Sequence, residues 1–207
     1  MAFKSDAAAP PITGHEPRCR IVARLMSAVG AGCLAGAALL ANPPVHAQGH
    51  EVVPWPVRKA VPPLAGTDLD GRLWRLADLR GKAVLINFWA SWCGPCQTEM
   101  PSLQTLAELY GPDKLVVLAV NFKESEPVVQ RYRQRTGFSL PVLLDPSGSI
   151  AREWGATVYP TTVLVGADGR VQGLVRGELD WTGPAAGRLV EALLAPTSQN
   201  ARPGMGR

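Results

Sequence analysis

The chain is poor in the residues that most often bind metals. It has three histidines and four cysteines among 207 residues, and the histidines (His15, His46 and His50) all stand in the N-terminal quarter. A structural zinc site needs about four ligands, and haem attachment needs a histidine directly after a Cys-x-x-Cys pair. The residue in that position is Gln97. A zinc site or a covalently attached haem is therefore excluded, and we expect no metal and no cofactor other than a redox-active disulfide.

A strong excess of charge is also absent. The chain has 21 Lys and Arg against 17 Asp and Glu, a formal net charge of +4, and no run in which basic and aromatic residues alternate. Nucleic-acid-binding domains usually carry such a basic patch. Nucleic acid is therefore not expected as a partner.

A candidate targeting segment lies near the N-terminus. Arg18, Arg20 and Arg24 precede an uncharged apolar segment at residues 25–41, and Asn42-Pro43-Pro44-Val45-His46-Ala47 follows it. A basic region, an apolar region and small residues at the end are typical of a secretory signal peptide. We expect export to a periplasmic or other extracytoplasmic location, with cleavage after Ala47. Retention of residues 25–41 as an inner-membrane anchor is the alternative.

The remaining sequence predicts one folded domain at residues 61–195, between a linker (48–60) and a C-terminal tail (196–207). Strands are predicted at 83–89, 115–120, 141–144, 161–165 and 170–176. One helix is predicted to begin at the cysteines, and two more are predicted over 126–136 and 184–194. A small N-terminal hairpin is predicted around Gly71. Alternating strands and helices that end in a hairpin and a helix indicate an α/β fold with a mixed sheet covered on both faces.

The two cysteines of this domain stand where a predicted strand leads into a predicted helix. Cys93 and Cys96 are separated by Gly94 and Pro95. Proline suits the first turn of a helix, because its missing N–H would have no intrahelical partner there. A disulfide that closes so short a loop removes little entropy from the unfolded chain. A structural role is therefore disfavoured, and thiol–disulfide exchange is favoured.

The segment FWASWCGPC (88–96) resembles the active site of thioredoxin. Three segments are similar, more narrowly, to the exported TlpA- and ResA-like thiol–disulfide oxidoreductases of the thioredoxin superfamily: GKAVLINFWASWCGPCQTEMPSL, FSLPVLLDPSGSIAREWGATVYPTTVLVGADGRV and GELDW. The resemblance covers about residues 61–195. It implies a thioredoxin-like fold with a central mixed sheet, flanking helices and a small N-terminal β-hairpin extension.

The resemblance also implies a function. We expect a disulfide reductase that acts on protein disulfides, such as those of apo-cytochrome c or of copper-site cysteines, and that receives electrons from a membrane thiol-transfer protein. Disulfide formation in the opposite direction and a non-catalytic holdase role remain alternatives. A peroxidase is disfavoured, because the Pro-x-x-x-Thr-x-x-Cys pattern does not occur.

The same resemblance, together with local physics, assigns the site residues. Cys93 stands at a helix N-terminus, where the helix dipole favours the thiolate, so it is the expected nucleophile and Cys96 the resolving thiol. The expected substrate contacts form two groups. Trp92, Gly94 and Pro95 lie beside the cysteines, and Tyr159 and Pro160 form the peptide bond that resembles the cis-proline bond of the family.

One position departs from the pattern of cytosolic thioredoxins. Those proteins have a buried aspartate where this chain has Asn87, whereas the exported relatives have a glutamate three residues after the second cysteine, here Glu99. We expect Glu99 to carry a proton for Cys96. The alternative is a solvated glutamate near the start of the helix, stabilised by the helix dipole.

Overall fold

The structure, a computed structural model, describes residues 49–195. The predicted targeting segment and C-terminal tail lie outside these residues. The strands are β1 (His50–Pro54), β2 (Ala65–Thr67), β3 (Leu73–Arg75), β4 (Ala83–Trp89), β5 (Leu115–Phe122), β6 (Val142–Asp145), β7 (Thr161–Val165) and β8 (Val171–Gly177). The helices are α1 (Gly94–Tyr110), α2 (Glu126–Thr136), α3 (Ser149–Trp154) and α4 (Pro184–Leu194), with a short 3-10 turn at Leu76–Leu79.

Six of the strands form one mixed sheet in the order β1-β8-β7-β4-β5-β6. The β4 strand is parallel to β5 and antiparallel to β7, while β1 and β8 are antiparallel. The β2 and β3 strands form a separate antiparallel hairpin. The α/β fold with a mixed sheet and a small N-terminal hairpin, expected from the sequence, is confirmed.

The sheet is buried on both faces, which explains the continuous apolar run in β4. All seven of its residues are buried. Leu85 and Trp89 pack into one core with residues of α1, α2 and α4, whereas Ile86 and Phe88 pack into a second core with residues of α3 and of β3. Strands covered on both faces have no polar alternation, because neither side meets water. The predicted bounds of β4, α2 and α4 agree with the structure.

The structure corrects the prediction of a linker at residues 48–60. Residues His50–Pro54 form the edge strand β1, which pairs with β8 along its whole length. No apolar pattern revealed this strand, because it is only partly buried and is held by backbone hydrogen bonds. The close approach of β1 to β8 also depends on Gly173, where a Cβ atom would lie 2.7 Å from the carbonyl oxygen of Val53.

Other elements differ from the prediction, and β6 and β8 each begin and end one residue later than expected. The α3 helix was not predicted, and at six residues it is too short to show a helical repeat. The β5 strand continues past Val120 to Phe122. None of the helices within residues 49–195 is long and apolar enough to cross a lipid bilayer.

Candidate active site

Cys93 and Cys96 form a disulfide at the N-terminus of α1, at the carboxyl end of the central strand β4. Their Cα atoms are 5.3 Å apart. Cys93 is the extended N-cap residue of the helix, and its Sγ accepts a hydrogen bond from the backbone N–H of Cys96 at 3.3 Å. Cys93 retains 6% of its accessible surface, whereas Cys96 has none. The first sulfur therefore borders the surface, and the second lies inside.

The first turn of α1 is arranged as the sequence predicts. Pro95 occupies one of the first two helical positions, and it lies exposed together with Gly94. Unpaired N–H groups and the helix dipole at this end stabilise negative charge on a cap atom. The position of Cys93 Sγ therefore favours its thiolate once the disulfide is reduced.

Aromatic side chains border the disulfide on the outside. The Trp92 side chain is 64% exposed, and its ring centroid lies 6.3 Å from that of Tyr159 in an edge-to-face arrangement. The Tyr159 ring in turn lies 4.6 Å from that of Phe122. Burial and the neighbouring Asp145 raise the pKa of Tyr159 to about 12, so its hydroxyl stays neutral.

The Tyr159–Pro160 peptide bond is cis, and it precedes β7 directly. Thr161 pairs with Phe88 near the end of β4, so this peptide bond lies at the end of the sheet from which the cysteine segment departs. The carbonyl of Pro160 accepts from the N–H of Gly177. Within residues 49–195, the backbone of Tyr159 makes no hydrogen bond to another backbone group. It can therefore accept an added extended segment.

Glu99 stands one helical turn after Cys96 on the buried face of α1 and is only 2% exposed. Its Oε1 accepts from Asn87 Nδ2 at 2.6 Å. Its Oε2 accepts from the backbone N–H of Leu179 and from Trp181 Nε1, each at 3.3 Å. Burial raises the pKa of Glu99 to about 7; the three donors act in the opposite direction, and the negative charge of Glu178 adds to the rise.

The alternative of a solvated glutamate is therefore wrong. The buried side chains of α1 are Cys96, Glu99, Met100, Leu103 and Leu106. These residues recur at spacings of three and four and thus share one face of the helix. Glu99 belongs to the face that packs on the sheet, and a carboxyl there titrates near neutrality, where it can exchange protons with a thiol.

Sequence reasoning did not identify three residues that shape this site. Asn87 was noted only as the replacement of the thioredoxin aspartate, and Trp181 only within the GELDW segment, although both hydrogen-bond to Glu99. Glu124 accepts from the N–H and the hydroxyl of Ser91 at 2.6 and 2.5 Å, and Gln97 donates to the Ser91 carbonyl. These bonds position the segment that leads into the cysteines. The GELDW segment was the only sequence signal for Trp181.

Within residues 49–195, no three His, Cys, Asp or Glu side chains cluster closely enough to hold a metal ion. The Cys93–Cys96 pair can perform thiol–disulfide exchange, and the carboxyl of Glu99 can exchange a proton with a thiol.

Comparisons with known proteins agree with this geometry. The AhpC/TSA family matches residues 57–173. The chain is 35% identical over 123 residues to the thiol-disulfide oxidoreductase ResA of Geobacillus thermodenitrificans, an alignment that covers 59% of this chain and 71% of ResA.

Solved structures show the same fold. A protein of Chlorobium tepidum designated as thiol:disulfide interchange protein DsbE superposes with a TM-score of 0.60 at 28% identity, covering 65% of this chain and 94% of its own. The exposed lipoprotein thioredoxin Etrx1 of Streptococcus pneumoniae superposes with a TM-score of 0.56 at 30% identity, covering 63% of this chain and 99% of its own.

Proposed function

Because the chain belongs to the AhpC/TSA family and is a thiol–disulfide oxidoreductase of the ResA and DsbE type, we propose that it reduces protein disulfides outside the cytoplasm. The observation that carries this proposal is the buried carboxyl of Glu99, which lies one helical turn after the buried thiol of Cys96. A resolving thiol in such a place ionises reluctantly and needs a proton acceptor. The reaction uses the Cys93–Cys96 dithiol and no other cofactor.

In the first step, the thiolate of Cys93 attacks one sulfur of a substrate disulfide. A mixed disulfide forms between Cys93 and the substrate, and the other substrate sulfur leaves as a thiolate. Cys93 is suited to this step because it borders the surface and because the N–H of Cys96 points at its sulfur. The charge on the attacking sulfur is thereby stabilised.

In the second step, Cys96 resolves the mixed disulfide. Its proton passes to Glu99, and the resulting thiolate attacks Cys93 Sγ. The bond between Cys93 and the substrate breaks, and the second substrate thiol is released. The substrate gains two electrons, and the protein is left with the Cys93–Cys96 disulfide that the structure contains. A dithiol donor must then reduce this disulfide.

Substrate would bind beside the disulfide, along the surface formed by Trp92 and Tyr159 and next to the cis bond to the buried Pro160. The backbone of Tyr159 is open to pairing with an extended substrate segment, as in β-strand addition. Trp92 supplies an exposed aromatic surface next to Cys93. Gly94 and Pro95 lie exposed at the helix start and leave room for the substrate backbone.

The compartment and partners are inferred from the N-terminal sequence and from the relatives. The basic and apolar residues up to Ala47 favour export. Outside the cytoplasm, a membrane thiol-transfer protein would supply the electrons. Apo-cytochrome c and copper-site proteins are the substrates we propose, because their paired cysteines must be reduced before they bind haem or metal.

The reduction potential of the Cys93–Cys96 pair tests the proposed direction. The purified protein is equilibrated with dithiothreitol or glutathione buffers, and the fraction of dithiol is measured. We expect a potential of about −270 to −200 mV, the range of the reducing thioredoxins and glutaredoxins. A value near about −120 mV, the potential of a strong oxidant, would instead assign the protein to disulfide formation.

A further inference from the structure

The carboxyl group of Glu99 is surrounded by donors only. Oε2 receives two N–H groups, from Leu179 and Trp181, and Oε1 receives the amide of Asn87. This environment suits a carboxylate, which accepts hydrogen bonds and donates none. A protonated acid, by contrast, must also donate one hydrogen bond. The site as it stands offers no acceptor for that bond.

The geometry identifies the oxygen that takes the proton. A proton on Oε2 would face two fixed N–H groups, one from the backbone and one from a buried indole ring. A proton on Oε1 faces only the amide of Asn87, which can rotate. The protonated form of Glu99 therefore carries its proton on Oε1.

Asn87 can supply the missing acceptor by turning its amide over. Its Nδ2 lies 2.6 Å from Glu99 Oε1 and 3.0 Å from Thr162 Oγ1, whereas its buried Oδ1 has no hydrogen-bond partner among residues 49–195. A separation of 2.6 Å is short for an N–H···O bond and lies within the usual range for O–H···O. Turning the amide by 180° places Oδ1 where Nδ2 is now. The end of the amide that does not face Glu99 lacks a partner in either orientation. The turn therefore breaks no hydrogen bond at that end.

Thr162 accommodates both orientations. Its hydroxyl accepts from Nδ2 in the present arrangement, and a hydroxyl can equally donate to Oδ1 by rotating its hydrogen. All the partners on this side are buried, and water does not compete with them. The side chains of Asn87 and Thr162 therefore have two arrangements that keep their hydrogen bonds to each other and to Glu99, one for each protonation state of Glu99.

We propose that Asn87 is a positioning residue whose side-chain amide reverses with the protonation of Glu99, donating to the carboxylate and accepting from the acid. The inference rests on the proposed role of Glu99 as the proton acceptor of Cys96. In the resolving step the proton leaves Cys96 for Oε1, the amide turns, and no hydrogen bond of the carboxyl group is lost. An aspartate at position 87 could not do this, since an ionised carboxylate cannot donate.

Other groups also act on this titration. Among the described residues, the charged group that affects the pKa of Glu99 is Glu178. The thiols of Cys93, the N-cap residue of α1, and of Cys96 in its first turn can also titrate nearby. The test therefore follows Asn87 and Glu99 directly, rather than through activity alone.

Nuclear magnetic resonance of the reduced, isotope-labelled full-length chain provides this test. The Cδ resonance of Glu99 reports its protonation between pH 5 and 9. Nuclear Overhauser contacts from the Asn87 amide protons to the side chain of Thr162 report the orientation of the amide. We expect these contacts at high pH and expect them to weaken several-fold at low pH. The pH midpoint of this loss should equal the midpoint of the Glu99 Cδ titration.

Glu99→Gln is the matched control for the orientation. Leu179 and Trp181 hold the oxygen of the introduced amide on their side, so its NH₂ group faces Asn87. The amide of Asn87 should then keep its low-pH orientation at every pH.

A second pair of variants tests the coupling between Asn87 and the titration of Glu99. Asn87→Leu should raise the midpoint of Glu99 by about one pH unit, which lowers the ionised fraction at pH 7 by about fivefold. Asn121→Leu, which alters an equally buried asparagine bonded to Glu124, should leave the midpoint unchanged.

Three results would overturn the proposal in distinguishable ways. Thr162 contacts that persist through the titration of Glu99 would show a fixed amide, and this inference alone would fail. An unchanged Glu99 midpoint in Asn87→Leu would show that Asn87 does not stabilise the carboxylate. A Glu99 resonance that does not titrate between pH 5 and 9 would overturn both the amide reversal and the proposed proton transfer from Cys96.

Discussion

The indole N–H of Trp181 lies 3.3 Å from Oε2 of Glu99, although the two residues are 82 positions apart in the chain. The contact joins the segment between β8 and α4 to the buried face of α1. Since Leu179 donates its backbone N–H to the same oxygen, this segment supplies two of the three hydrogen bonds to the carboxyl group. The end of the domain thus influences the pKa of Glu99.

The first prediction concerns catalysis by Glu99. In Glu99→Gln the fold and the first attack by Cys93 should persist, because the amide is isosteric and Cys93 is stabilised separately by the helix N-terminus. The resolving step should slow by about 10²–10⁴-fold, the usual contribution of general acid–base catalysis. Stopped-flow rates of disulfide reduction from pH 5 to 9 measure both steps. Superimposable pH profiles for the two proteins would contradict the assigned role.

The second prediction concerns stability. The pKa of Glu99 is about 7 in the folded protein and 4.5 as its reference value. The folded state therefore holds a proton that the unfolded state has lost between these values, and the free energy of unfolding falls as pH rises through this window. The loss should amount to about 3 kcal/mol.

Denaturant unfolding of the oxidised protein at pH 4.5 and pH 8 measures this loss. Glu99→Gln lacks the titrating group, so its unfolding free energy should fall by about 3 kcal/mol less than that of the wild type over the same interval. Other titrating groups contribute equally to both proteins and cancel in the comparison. Equal pH dependence in the two proteins would show that folding does not raise the pKa of Glu99.

The third prediction separates hydrogen bonding from packing at Trp181. Trp181→Phe keeps a buried aromatic ring but removes one donor to Glu99, so the pKa of Glu99 should rise by about one unit. The pH profile of the resolving step should move upward by the same amount. Trp154→Phe is the matched control, since Trp154 is equally buried and its indole nitrogen has no partner. It should alter stability but leave the pH profile in place. Parallel shifts in both variants would indicate a packing effect.

The fourth prediction assigns the two cysteines. Cys96→Ser should accumulate mixed disulfides with target proteins, because Cys93 still attacks but no thiol resolves the product. Cys93→Ser should accumulate few or none, because Cys96 has no accessible surface. Non-reducing gels of cell extracts show the trapped species as bands that disappear with reductant. Equal trapping by the two variants would contradict the division of roles.

The fifth prediction concerns the compartment. A fusion of residues 1–60 to a reporter that is active only after export should be active, because Arg18, Arg20 and Arg24 lead into the apolar segment at residues 25–41. Replacing two residues of that segment with aspartate should abolish the activity. An inactive fusion found in the cytoplasm would remove the proposed location.

Much of the fold could be predicted because the signals are local. The strand β4 is marked by a continuous apolar run, and the helices α2 and α4 by a proline in the first turn with a glycine at one end, signals that act within one or two turns of chain. The edge strand β1 could not be predicted. Its residues are partly exposed, and its only strong interaction is the ladder with β8, more than a hundred residues away.

The sequence by itself determined the chemistry of the protein. The spacing of Cys93 and Cys96, with Pro95 in the first helical turn, is a local arrangement that brings two sulfurs together whatever surrounds them. Only the tertiary structure decided the state of Glu99. Its pKa depends on how completely water is excluded and on donors from Asn87, Leu179 and Trp181, which are 12, 80 and 82 residues away. Because such donors reach the carboxyl group only after the sheet and helices have packed, a glutamate at this position in the sequence could equally have been a solvated one.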